Sequence, residues 1–292
     1  MRAITIAFIS LLGLAACKRD EPERKPQTDD FGDAIQMGAT PKRIVSLNPT
    51  TTELLFALGA GSRLVGRTTY DLFPDSAKNV PDVGPGLRPN VESILGTKPD
   101  LVVLYASNDN RAAARELRAA GINTLSIKID HIADFYRASR LLGVMLGDSA
   151  KGAVVADSVE KTLKRVRNAT ASLTKPTIFW HIWDAPLITI ASGSYMNELV
   201  EIAGGVNVYG DMSDVSPAVS IEDVVKRNPE FILAGPENAK KIAGDRQWSA
   251  VPAVRKRGIL VVDTAVVGRP SVKLGEAAVS LAQLLHPGVV AR

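Results

Sequence analysis

Short apolar runs recur along the chain, each closed by a turn residue and followed by a stretch with helical spacing. Arg43-Ile44-Val45-Ser46-Leu47 predicts a strand, and Asn48-Pro49 opens a helix in which Thr50 and Glu53 have capping-box spacing. Leu64-Val65-Gly66 predicts a second strand, before a long polar loop through Tyr70, Pro74 and Pro81 to Pro89. Leu101-Val102-Val103-Leu104 predicts a strand buried on both faces, and Leu125 to Ile129 another, after a helix from Arg111 to Ala120. Strand, turn and helix in that order indicate α/β with mostly parallel sheets. From Ile132 to about Leu173 the spacing is helical with a break at Gly147-Asp148, and Ser149 to Leu173 has no glycine after Gly152. A helix of that length is expected to leave one lobe and enter the next as a stiff connector. Thr177 to Trp180, Leu187 to Ala191, Phe231 to Ala234 and Ile259 to Val262 predict the strands of a second lobe. It closes with a helix through Leu285, ended by His286-Pro287.

Part of this pattern occurs twice. Asn90-Val91-Glu92-Ser93-Ile94-Leu95, then Pro99-Asp100 and Leu101 to Leu104, is matched 130 residues later by Ser220-Ile221-Glu222-Asp223-Val224-Val225, then Pro229-Glu230 and Phe231 to Ala234. In each copy the first residue is an expected N-cap, a short helix follows, and the proline stops it before a buried strand. Glu92 and Glu222 are thus placed in equivalent first turns. Complementing the helix dipole, worth a few tenths to about 1 kcal/mol, would explain such carboxylates, and so would a shared surface role. A second echo, Glu53-Leu54-Leu55 before Gly59 and Glu198-Leu199-Val200 before Gly204-Gly205, lies at an offset of 145.

The amino end changes the domain picture. Met1-Arg2, the apolar stretch Ala3 to Leu14, and Leu14-Ala15-Ala16-Cys17 have the form of a signal peptide with a lipobox, too short to span a bilayer. Residues 1–16 are expected to be removed and Cys17, the only cysteine, to carry lipid that holds the protein on a membrane surface. Residues 17–40 are charged, carry Pro22 and Pro26, and predict a flexible tether. The folded body then divides into a first lobe at 41–131, a helical connector at 132–174 and a second lobe at 175–292. The net charge of +4 is modest, with acids interleaved among bases, so nucleic acid is not an expected partner.

Candidate catalytic chemistry is sparse. His131, His181 and His286 are the only histidines and lie far apart, so no protein-only metal site is expected. A Gly-rich phosphate loop, a nucleophile elbow and a close acid-base carboxylate pair are all missing, which argues against an enzyme. Gly204-Gly205 is expected to end a helix and Ser192-Gly193-Ser194 to cap one. What stands out is aromatic side chains where strands or loops end: Tyr70, Tyr105, and Trp183 with Asp184. Ligands bind at the carboxyl ends of parallel strands, and aromatic faces there suit a broad, flat ligand, although each ring could equally be core.

Arg43 to Pro49 with Thr52 to Gly59, Val65-Gly66 with Tyr70 and Pro74, Asn90 to Asp100, Gly204-Gly205 with Asn207-Val208, Val219 to Pro229 and Leu285-His286-Pro287 resemble the helical-backbone substrate-binding proteins of ABC importers for cobalamin, haem and siderophores. The resemblance covers residues 41 to 288, and Ile182-Trp183-Asp184-Ala185-Pro186-Leu187 with Thr189 is most similar to the cobalamin branch. It implies a monomeric, non-enzymatic receptor of the class III periplasmic-binding-protein type, with two α/β lobes held by one rigid helix. Such a receptor, in the periplasm or on the outer face of the cell membrane, would deliver a corrinoid to an ABC permease. Glu92 and Glu222 match the family glutamates that engage permease arginines. Tyr70 and Tyr105 match ligand-facing positions of the first lobe, Trp183 with Asp184 those of the second, and Arg269 lies in a loop bordering the cleft. The alternative is a haem receptor, with Tyr70 or His181 on the iron, or a ferric-siderophore receptor of the same fold. A redox or metallocluster enzyme on a similar frame would need clustered cysteine or histidine ligands, which a single cysteine spent on lipid does not leave.

Overall fold

The computed structural model describes residues 27–289. Its two four-stranded parallel sheets share one strand order, second–first–third–fourth. The first contains β1 (Ile44–Ser46), β2 (Leu64–Gly66), β3 (Leu101–Tyr105) and β4 (Asn123–Ile127), and the second β5 (Thr177–Trp180), β6 (Val206–Asn207), β7 (Phe231–Ala234) and β8 (Ile259–Val261). The first lobe carries α1 (Pro49–Ala57), α2 (Val91–Gly96) and α3 (Arg111–Ala119), and α4 (Ile132–Met145) and α5 (Ser149–Thr170) connect it to the second. That lobe carries α6 (Tyr195–Ile202), α7 (Ile221–Arg227), α8 (Pro236–Gly244), the single turns α9 (Pro252–Arg255) and α10 (Thr264–Val267), and α11 (Leu274–Leu285).

The 22 residues of α5 give it a length of roughly 33 Å at 1.5 Å per residue. Asp148 caps its start by accepting from the Lys151 amide, at the break expected from Gly147. It crosses α4 at backbone contact: a Cβ on Gly143 would lie 2.7 Å from the Cα of Gly152, and Ser139 Oγ donates to the Gly152 carbonyl at 2.8 Å. Its other main neighbours are α6 and α11 of the second lobe, and the core it shares with α4 reaches into the first.

Alternation along the strands explains why the lobes are welded together. In β1, Ile44 and Val45 face opposite sides, as do Val103 and Val102 in β3 and Ile178 and Phe179 in β5. One set of faces, with Val45, Val102 and Leu117 in the first lobe and Phe179, Ile232 and Trp248 in the second, forms two separate outer cores. The opposite faces join α4, α5, α6 and α11 in one core running from Ile44 and Leu125 through Leu163 to Ile178 and Leu281.

Three expectations are corrected. The tether expected at 17–40 is folded from residue 27 on. Asp29 is buried and accepts from the amides of Phe31, Asp33 and Ser126 and from Arg118. The Asp30 amide donates to the Ser126 carbonyl, its carboxylate accepts from the Lys128 amide and Arg137, and the Arg111 guanidinium lies 4.3 Å over the Phe31 ring. This strap covers β4, an edge strand whose unpaired backbone groups need partners. Secondly, the cap of α1 is Asn48, accepting from the Thr50 amide, and Glu53 is drawn into the interior instead of a capping box. Thirdly, Leu187 to Ala191 joins neither sheet; Ile188 only bridges Trp183 and Ala218.

Candidate ligand-binding cleft

The carboxyl ends of all four first-lobe strands converge on one cavity of about 560 Å³. Leu47 follows β1, Thr68 and Tyr70 follow β2, Tyr105 ends β3, and Ile129 and Asp130 follow β4. The first turn of α1 and Leu87 complete the first-lobe wall, and Pro270 enters from the second lobe. Tyr70 and Tyr105 are thereby brought together. Tyr70 is 68% exposed, on a loop fixed from below by buried Asp71, which accepts from the hydroxyls of Thr52 and Thr68 and from the Thr68 amide. Burial outweighs those hydrogen bonds and raises the Asp71 pKa above the ordinary 3.8. Tyr105 OH donates to Asp130 at 2.6 Å, and burial together with that carboxylate pushes its pKa up, so it offers a ring face and no readily formed phenolate.

Trp183 is 60% exposed on the second lobe, in a turn closed by the Ile188 amide donating to its carbonyl at 2.9 Å, and its own indole Nε1 donates to the Ala185 carbonyl. It does not line the first-lobe cavity. Asp184 borders a separate second-lobe cavity with Lys241 and Trp248, and pairs with His181 Nε2 at 2.9 Å and Lys241 at 3.5 Å. The His181 ring is sealed in the interior, its Nδ1 lacks a partner among the described residues, and burial lowers its pKa. Arg269 does not line the cavity and donates to Glu53 at 3.1 Å, while its neighbour Pro270 is on the wall. A larger hollow, about 720 Å³, lies beside edge strand β6 with Lys175, Glu201 and Arg227; it gathers no aromatic side chain and lies apart from the converging strand ends.

One wall residue, Leu87, and several of its neighbours were not anticipated. Leu72, Phe73 and Leu87 are exposed apolar residues of the same loop system as Tyr70, and the Lys273 ammonium sits 3.7 Å from the Phe73 ring centroid, joining the second lobe to the first. Apolar residues in an otherwise polar segment were a visible signal for the first three; nothing local marked Lys273.

Glu92 and Glu222 are both exposed, each one residue beyond the first of its helix, and Asn90 and Ser220 cap those helices by accepting from Ser93 and Asp223 amides. Because α2 and α7 run back from the carboxyl edges of the sheets to feed β3 and β7, their first turns lie at the cleft ends of the lobes. The backbone amide at the helix start, and then Ser220, hold the Glu222 carboxyl below its ordinary pKa. Cys17 lies outside the described residues. Among the described residues no group of three His, Cys, Asp or Glu is placed to hold a metal ion, and no helix is long and apolar enough to cross a membrane.

The periplasmic binding protein family model matches residues 44–265, from β1 to α10. The chain belongs to that family. An uncharacterised ABC transporter substrate-binding lipoprotein of Bacillus subtilis, YvrC, is 28% identical over 98% of this chain and 96% of its own. The vitamin B12-binding protein of Vibrio cholerae is 29% identical over 79% of this chain and 84% of its own; the crystal structure of that organism's periplasmic vitamin B12 binding protein BtuF gives a TM-score of 0.75 over 84% of this chain and 97% of that one, at 25% identity. The apo periplasmic haem-binding protein RhuT from Roseiflexus gives a TM-score of 0.76 over 85% and 99% at 23% identity, a likeness of fold alone. This family member is a non-enzymatic substrate-binding protein of an ABC transporter, with the two-lobe fold.

Proposed function

We propose that the protein captures a corrinoid of the vitamin B12 class in the cleft between its lobes and delivers it to the permease of an ABC importer. The cavity at the carboxyl ends of the first sheet carries the reading: it offers two tyrosine faces and an apolar wall, and the second lobe exposes Trp183 as a further aromatic face. Large, pre-placed aromatic faces gain contact area at small conformational cost, which suits a wide macrocycle. Similarity to vitamin B12-binding relatives supports the same ligand class. In this reading Tyr70, Tyr105 and Trp183 face the ligand, Asp184 and Arg269 hold the loops that present them, and Glu92 with Glu222 dock the permease. Cys17 carries a lipid that keeps the monomeric receptor at the membrane, and the B. subtilis relative named as a lipoprotein is in keeping with that.

Haem is the second reading, favoured by one observation: Tyr70, an exposed residue, lines the cavity. His181 is sealed and cannot reach a ligand there, and Tyr105 is committed to Asp130. Absorption spectra of the protein mixed with each ligand and then gel-filtered separate the two. Co-elution of the corrinoid bands, with haem left behind, is the expected result. A retained haem band that shifts in Tyr70→Ala would replace the corrinoid reading with the haem one.

A further inference from the structure

Glu53 and Glu198, the second echo in the sequence, stand on equivalent helices. α1 lies between the first and second strands of its sheet, and α6 lies between the first and second strands of the other. Each glutamate reaches out of its own lobe. Glu53 Oε1 accepts from Arg269 Nη1 at 3.1 Å, and Arg269 belongs to the segment that follows β8, the last strand of the second sheet. Glu198 Oε1 accepts from His131 Nδ1 at 2.9 Å and from the Ile132 amide at 3.2 Å, in the segment that follows β4, the last strand of the first sheet. The two contacts are reciprocal: the first helix of either lobe grips the exit segment of the other. A carboxylate placed there only to start a helix would have no reason to find a hydrogen-bond partner on the opposite lobe in both copies.

Both contacts adjoin the cleft wall. Arg269 precedes Pro270 and Glu53 shares a helix with Thr50, both wall residues; His131 follows Asp130, which receives Tyr105 OH and whose carbonyl accepts from the Tyr195 amide at 2.7 Å. Tyr195 OH, in turn, donates to the Val267 carbonyl at 2.9 Å. The two arms differ in strength. The Glu53 side chain is 1% exposed and its partner 25%, whereas Glu198 and His131 are 31% and 49% exposed and thus better screened.

We propose that Glu53–Arg269 and Glu198–His131 form a reciprocal clasp that fixes the angle between the lobes, and that these four are positioning residues for the cleft which act without touching the ligand. The clasp is independent of which ligand the cleft takes, and it sets the distance between Tyr70 and Trp183 as well as that between Glu92 and Glu222.

Pulsed electron spin resonance on the full chain with Cys17→Ser, labelled through Glu116→Cys on α3 and Lys240→Cys on α8, measures the lobe-to-lobe distance. The chain with its clasp intact should give one narrow distribution. Glu53→Gln with Glu198→Gln should widen it about twofold, as expected when two packed bodies lose the contacts that fix their hinge. Glu160→Gln with Glu276→Gln, the same charge change at exposed positions, should leave it alone. An unchanged distribution in the clasp variant, or equal widening in the surface variant, would overturn the proposal. If the double variant fails to fold, Glu198→Gln alone, at the half-exposed arm, must still widen the distribution; no widening there overturns it equally.

Discussion

Trp180 and Trp183 lie three residues apart and do opposite work. Trp180 ends β5 and is 2% exposed in the shared core, whereas Trp183 stands out of its turn. Removing a buried tryptophan typically costs about 3–5 kcal/mol, so Trp180→Ala should lower the melting midpoint steeply. Trp183→Ala or Tyr70→Ala should leave that midpoint nearly unchanged and weaken ligand binding roughly tenfold or more, the usual loss for a large aromatic contact. Measuring both quantities on each variant checks the assignment, which fails if Trp183→Ala chiefly lowers the midpoint. Asp71 gives a pH signature. Its folded pKa is raised, so the folded protein holds that proton more tightly than the unfolded chain does. The penalty of the buried charge is absent below about the ordinary 3.8 and grows as pH rises through the folded value. Relative to Asp71→Asn, the parent should therefore gain stability as the pH is lowered from neutral towards the ordinary value of 3.8, read from paired thermal melts; a difference constant with pH would contradict this. The placing of Tyr70 and Tyr105 on one cavity wall was legible because aromatics at strand ends are conspicuous, whereas Trp183 is exposed outside that lining. The partners of Arg269 and Asp184 were not legible, since ion pairs spanning 216 positions in one case and burying a histidine in the other leave no local pattern.

At the scale of elements, period and punctuation exposed most of the strands and the connector break, and the repeated segment foretold two helices with the same cap. They failed where neighbours decide. Asp29-Asp30-Phe31-Gly32-Asp33 has the composition of a tether, yet its carboxylates meet Arg118 and Arg137, which the fold carries to the same sheet edge. Asp29→Ala removes several hydrogen bonds to one buried carboxylate, and charge-assisted bonds are each worth about 1.5–3 kcal/mol. It should lower the melting midpoint and open the strap to limited proteolysis near residue 30, whereas an unmoved midpoint would mean the strap is adventitious. Leu187 to Ala191 shows the converse failure: an apolar run sufficient for a strand is used to brace the turn that presents Trp183. For α2 and α7, Glu92→Ala with Glu222→Ala should abolish uptake in cells while the purified protein binds ligand normally, because rim charges act on encounter and orientation. Stability should fall only slightly, through loss of the helix-dipole contribution at each site. Normal uptake in that double variant would reduce both glutamates to structural residues.

For the whole molecule, the repeat implied two lobes, and the structure adds how they are joined. The inner faces of both sheets merge with α4, α5, α6 and α11 into one core, so any change in the angle between lobes must disturb packed side chains. That is why the cleft is expected to be largely pre-formed, with ligand entry producing a small adjustment of the loops that carry Tyr70, Trp183 and Pro270. The fold alone does not choose a ligand, since a B12-binding and a haem-binding protein of known structure superpose on it about equally well. Calorimetric titration of the purified chain with cobalamin, cobinamide and haem in parallel tests the corrinoid assignment most directly. Saturable one-to-one binding of a corrinoid, weakened roughly tenfold or more by Trp183→Ala and tighter than any binding of haem, is the predicted result. Absence of corrinoid binding, or tighter haem binding, would contradict it.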